Sequence, residues 1–136
     1  MKMNPYLLFE GDCEEAFKTY AKVLGGEIVA MIQAEGTPGE SGWPEDWRKK
    51  IIHARMLLDG VALMGSDCPP DRFEKTQGFS VTLNVKEPKE AERVFDALVE
   101  GGTVRMPLQE TFWAEKFGML TDRFGTPWMI NCEKPM

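Results

Sequence analysis

EEAFKTYAKVLGGEIVAMIQ, Glu14 to Gln33, and KEAERVFDALVEGGTVRMPLQ, Lys89 to Gln109, are two copies of one pattern, with one residue inserted before the second glycine pair. Ala16 then matches Ala91, Tyr20 matches Phe95, Gly25-Gly26 matches Gly101-Gly102, and Gln33 matches Gln109. An internal repeat fixes the architecture before any local signal is weighed. Upstream of the copies lie the strand-like YLLFEG and FSVTLNV. Downstream, HARMLLDG from His53 echoes KFGMLTDRFG from Lys116, with Met56 over Met119, and VALMG or PWMINC follows.

Each copy reads as strand, helix, then strands. In the first helix Ala16, Phe17, Tyr20, Val23 and Leu24 recur at helical spacing on one face, while Glu14, Lys18 and Lys22 face water. Gly25-Gly26 ends it, because glycine takes the left-handed conformation that closes a helix. The second helix repeats this with Ala91, Val94, Phe95 and Leu98, opening at Glu87-Pro88, where proline suits a first turn. The reading is α+β: two tandem βαβββ modules forming cupped mixed sheets with helices on the outer face. Module 1 covers about 1–66 and module 2 about 77–134, within a single domain of 1–136.

In FSVTLNV, Val81, Leu83 and Val85 alternate with Ser80, Thr82 and Asn84, so the apolar set meets the helix and the polar set faces solvent or a cavity. YLLFE and PWMINC are apolar on both faces, and such strands are seldom left wet. A curved sheet enclosing a pocket accounts for both patterns. The long Gly- and Pro-rich segment Ala34 to Lys50 reads as a loop whose Trp43 and Trp47 cap the pocket, pack on a neighbouring subunit, or staple the loop to its own domain.

With 136 residues, 43% of them hydrophobic, the chain can bury a core without disulfides or a structural metal. Cys13, Cys68 and Cys132 are odd in number and form no CxxC pair, which fits reduced thiols in the cytoplasm. Neither a signal peptide nor a transmembrane run is expected. A net charge of −6 repels a phosphate backbone, so nucleic acid is not an expected partner.

Taken together, NPYLLFEGDCEEAF, HARMLLDG with LMGSD, and above all GG-VRMPLQETFWAEKFGMLTDRFGTPWMINC resemble the vicinal oxygen chelate superfamily, in its PhnB-like or demethylubiquinone methyltransferase-like branch. The resemblance spans essentially the whole chain. It implies the glyoxalase-like fold and a homodimer, sometimes assembled by exchanging modules. It also implies that metal-dependent members carry four His, Gln or Glu ligands at positions that fall here at or near Pro5, Met64, Ser80 and Met129. None of these is a good ligand for zinc, iron or manganese. No metal and no cofactor is therefore expected.

Other chemistry is sparse. There is no GxSxG elbow, no GxxxxGK loop and no nucleotide fingerprint for a methyl donor. His53, the single histidine, is the candidate catalytic residue; with Arg55 on the same strand face it can act as base or meet an anion, although a lone histidine is more often structural. By strand parity the pocket lining is Leu7, Phe9, His53, Arg55, Met64, Ser80, Thr82, Asn84, Phe117, Met119 and Met129, with Trp113 at the mouth. Nine methionines suit an adaptable apolar cavity, though methionines are core fillers more often than ligand contacts. The expected function is binding of a small apolar or aromatic molecule with one polar or anionic group. The alternative is a metal-dependent lyase, isomerase or dioxygenase with displaced ligands around His53. A third reading is a structural partner-binding module.

Overall fold

The computed structural model describes residues 1–135. It comprises two compact units, one from Met1 to Lys75 and one beginning at Thr76. The first unit runs β1 (Tyr6–Phe9), α1 (Cys13–Leu24), β2 (Glu27–Gln33), two single 3₁₀ turns, β3 (Ile51–Leu58) and β4 (Val61–Asp67). The second runs β5 (Val81–Asn84), α2 (Pro88–Val99), β6 (Thr103–Gln109), β7 (Ala114–Thr121) and β8 (Pro127–Glu133). The sheets have matching orders, β1-β4-β3-β2 and β5-β8-β7-β6, each with one parallel pair and two antiparallel pairs. The expected βαβββ duplication is thus the fold. No helix among the described residues is long and apolar enough to cross a membrane.

Each helix buries the apolar stripe that its sequence spacing marks out, except that Val23 and Leu24 at the end of α1 are only half-buried. α1 buries Cys13, Ala16, Phe17 and Tyr20; α2 buries Ala91, Val94, Phe95 and Leu98. Burying each of the larger side chains stabilises by roughly 1.5–3 kcal/mol. Gly25, at φ 77°, closes α1 by donating its N–H to the Ala21 carbonyl.

The two helices settle onto their sheets at a strand glycine. A Cβ on Gly65 of β4 would stand 2.9 Å from Cε1 of Phe17, and one on Gly118 of β7 would stand 2.8 Å from Cε2 of Phe95. Only a residue without a side chain lets either ring lie that close. These glycines therefore mark the covered face of each sheet. Side chains in register with them, Leu7 and Ala54 beside Gly65 and Ile130 beside Gly118, share that face.

The start of α1 has no cap from Asp12. It is held instead by Asp67, at the end of β4 and only 2% exposed. Oδ1 of Asp67 accepts the N–H groups of Gly11 (3.0 Å) and Cys13 (2.9 Å), and Oδ2 accepts that of Ile51 (2.9 Å). One carboxylate thus ties the ends of three segments, and its negative charge suits the amide end of a helix. In the second unit, Asp122 accepts from Phe124 N–H, Thr126 N–H and the indole of Trp128, fixing the β7–β8 turn.

The long loop is fastened to its own unit. The ring of Trp47 lies against Gly11, Lys50 Nζ donates to the Gly11 carbonyl at 3.0 Å, and Arg72 donates to the Gly42 carbonyl at 2.8 Å. Of the alternatives for Trp47, stapling is the one that these contacts support.

The ladder also corrects the repeat alignment by one residue. Arg55 pairs with Met64 and Met119 with Met129, so Met119 is the counterpart of Arg55, while Met56 pairs with Leu63 and matches Leu120. A one-residue slip in a strand reverses the face. Met56 is accordingly 1% exposed beneath α1, whereas Met119 is half-buried on the opposite side of its sheet.

Two outcomes are expected in urea unfolding. Asp67→Ala leaves three amides without their acceptor and lowers stability by about 3 kcal/mol or more, with Asp67→Asn intermediate. Met56→Ala costs about 2–5 kcal/mol, whereas Met119→Ala costs under about 1 kcal/mol, and equal losses would contradict the assigned faces.

Candidate functional site

With one face of each sheet closed by its helix, the chemistry available to a ligand lies on the other. In the first unit, register places Tyr6, Met64, Arg55 and Ala30 in one row across the sheet. Two residues along each strand, Leu8 pairs with Ser66 and His53 with Ile32, giving a second row. His53 Nδ1 and the Tyr6 hydroxyl are 3.2 Å apart, and the two rings stack with centroids 5.9 Å apart. Which group donates depends on the histidine tautomer. Arg55 is exposed and makes no ion pair among the described residues. The face therefore offers an unneutralised guanidinium beside an aromatic pair, with apolar side chains around it.

Leu7 and Phe9 do not belong to this face. They are 2% and 1% exposed, and Phe9 meets the edge of the Phe17 ring beneath α1. The expected parity of β1 is therefore reversed, because Leu7 is in register with Gly65 on the covered side. Tyr6 and Leu8, 43% and 40% exposed, take their place. Ile32 was likewise outside the expected lining. The available signal was the repeat itself: matching Leu7 to Leu83, already assigned to the helix side, would have put Tyr6 and Leu8 on the open one.

The second unit gathers the remaining expected residues. Thr82, Met129, Met119 and Met106 form one row, and Asn84, Asn131, Phe117 and Gln109 the next. Ser80 lies just before β5, half-buried. Trp113 meets Phe117 edge-on with centroids 5.3 Å apart, and Phe112 meets Trp113 at 4.8 Å. Asn131, absent from the expected lining, donates from Nδ2 to Asn84 Oδ1 at 3.0 Å. Its own Oδ1 is buried without a hydrogen-bond partner among the described residues. Leaving such an acceptor unsatisfied costs roughly 1–3 kcal/mol, so the group merits an explanation.

These rows test the metal centre that the resemblance implies. Met64 is in register with Tyr6 rather than Pro5, and Met129 with Thr82 rather than Ser80. A phenol, a hydroxyl and two thioethers do not form the imidazole and carboxylate set that zinc, iron or manganese takes. Among the described residues no three His, Cys, Asp or Glu side chains come together, and Arg55 beside His53 would repel a cation. The residues present do not fit that group. Two open hollows occur in the first unit, about 570 Å³ between the start of α1 and Lys50, and about 510 Å³ along β2 near Thr37, the second reaching Ile32 of the second row.

Comparison with known proteins follows the same architecture. Residues 1–131 match the family model described as 3-demethylubiquinone-9 3-methyltransferase. Protein YjdN of Escherichia coli is 37% identical, covering 98% of this chain and 97% of its own length. The crystal structure of protein PA1353 from Pseudomonas aeruginosa is 49% identical, covers 99% of both chains and has a TM-score of 0.90. A structure from Bacillus cereus, described as a PhnB protein and putative 3-demethylubiquinone-9 3-methyltransferase, is 30% identical over 97% of this chain and 99% of its own, with a TM-score of 0.80.

A glycine-rich turn whose amides point from a helix start is the usual seat for a nucleotide phosphate. Here the Gly11 and Cys13 amides are already taken by Asp67, and α2 begins at a proline, which has no N–H. The thiols are also unsuited to attack, since a reactive cysteine needs a lowered pKa. Burial and then the nearby Asp67 push the Cys13 thiol far above its ordinary range, and burial foremost raises Cys68 and Cys132. With a thiol-reactive disulfide reagent at pH 8, only the half-buried Cys68 is expected to react, slowly, in the folded protein. Cys13 and Cys132, both 0% exposed, should label only on unfolding; rapid labelling of either would contradict this packing.

Proposed function

We propose a binding function for this chain, which belongs to the family described as 3-demethylubiquinone-9 3-methyltransferase, the PhnB-like branch of the vicinal oxygen chelate superfamily. The molecule bound is small, apolar or aromatic, and carries one anionic group. It lies on the helix-free face of the first sheet, its anion against Arg55 with His53 beside it, and its apolar body along Tyr6, Leu8, Met64 and Ile32. The observation that carries this reading is Arg55, a guanidinium without an ion-pair partner set in the row between Met64 and Ala30. A cation left on an apolar sheet face favours a ligand that brings its own counter-charge, and a planar guanidinium suits a carboxylate or phosphonate.

No metal enters this proposal, and no bond-making step is assigned. A homodimer, which the family resemblance implies, belongs to the same reading.

The test uses naphthalene-2-carboxylate as the probe, followed by calorimetry and by the shift in melting temperature. Binding is expected to weaken about tenfold or more in Arg55→Met, as loss of a charge-assisted hydrogen bond requires. That substitution installs the residue found at the equivalent place, Met119, so the sheet should tolerate it. The uncharged naphthalene-2-methanol should bind the native protein about as weakly as the acid binds the variant. Equal affinity of the acid for both proteins, or no binding to either, would overturn the reading.

A further inference from the structure

The hydrogen bond between Tyr6 and His53 has a chemical direction. A phenol is a better donor than acceptor, because its oxygen lone pair is drawn into the ring, whereas a bare imidazole nitrogen is a strong acceptor. At 3.2 Å the Tyr6 hydroxyl is therefore the donor and His53 Nδ1 the acceptor. Turning the imidazole over would put a carbon against the hydroxyl and forfeit the bond. We propose that Tyr6 is a positioning residue for the anion site: it holds neutral His53 with its hydrogen on Nε2, so that His53 meets the ligand as a second hydrogen-bond donor and not as a base. This inference rests on reading the open face of the first sheet as the anion site.

The surroundings lack what a histidine base needs. A base is made when a carboxylate or carbonyl accepts the Nδ1–H and leaves the other nitrogen bare. The His53 side chain makes no hydrogen bond besides the one to Tyr6 among the described residues. Neither row of this face holds a carboxylate: one is Tyr6, Met64, Arg55 and Ala30, the other Leu8, Ser66, His53 and Ile32. With Nδ1 filled from Tyr6, the ring's one hydrogen sits on Nε2, on the side of the imidazole away from the phenol.

This narrows the class of ligand. Arg55 lies two residues along β3 on the same face, so a carboxylate that accepts from the guanidinium has a second donor beside it. An alcohol or phenol whose proton must be taken away finds no base here. The Tyr6 and His53 rings also stack, with 5.9 Å between centroids and 26° between planes. Stacking keeps the imidazole's orientation when the bond is lost, so Tyr6→Phe removes the hydroxyl alone.

His53 is the single histidine, so in tag-free protein labelled with nitrogen-15 its two ring nitrogens give the only imidazole signals. Recorded at a pH above the ring's titration, where the signals no longer move, Nε2 is expected to be the hydrogen-bearing nitrogen and Nδ1 the bare one. In Tyr6→Phe both signals should move toward the average of the two tautomers. Binding of naphthalene-2-carboxylate should weaken about tenfold in His53→Ala, as loss of a hydrogen bond to a charged group requires, and about threefold in Tyr6→Phe. It should recover in His53→Gln, whose amide supplies a donor in place of Nε2–H and has no basicity. A hydrogen on Nδ1 in the native protein, or ring signals unchanged by Tyr6→Phe, would overturn the assignment, and the anion reading would still stand if Arg55→Met weakens the acid. Binding to His53→Gln as weak as to His53→Ala overturns the donor role. The expected tautomer with no binding of the acid removes the anion reading and the ligand role of His53 with it.

Discussion

A phenyl ring resting on a strand glycine decides the character of each half of this protein. Phe17 on Gly65 and Phe95 on Gly118 bring the helix closer to the sheet than any side chain at those positions would permit. Once that face is closed, alternation along the strands leaves no freedom: Leu7, Phe9, Met56, Trp128 and Ile130 become core, and their neighbours are turned outward. The open face carries whatever the core did not take. Tyr6, His53 and Arg55 point outward because the residues between them are needed beneath α1.

Polar groups buried at the seams make this arrangement specific. Asp67 joins the end of β4 to the start of α1 and the start of β3, so one carboxylate registers three segments. It also occupies the amides that a nucleotide phosphate would otherwise use. Structural capping and nucleotide binding compete for the same N–H groups, and here capping holds them.

Much of this was legible in the residues themselves. The spacing of Ala16, Phe17 and Tyr20 and of Ala91, Val94, Phe95 and Leu98 marks two amphipathic helices, and the repeated glycine pairs mark their ends. The alternation of Val81 and Leu83 with Thr82 and Asn84 gives the correct faces for β5. β1 defeats the same logic because Tyr6, Leu7, Leu8 and Phe9 are all apolar or aromatic, so parity has no contrast to read. The alignment of Met56 with Met119 failed for a related reason: both neighbourhoods are apolar, and the slip becomes visible only in the ladder. Asn131 went unmarked because an asparagine in an apolar run gives no sign, in sequence, that its oxygen will lack a partner.

The duplication leaves each half with its own core, its own buried aspartate and its own glycine under a phenyl ring. Arginine and histidine on one open face stand where methionine and phenylalanine stand on the other, so the outward residues of the two copies have diverged while each kept its helix on its sheet.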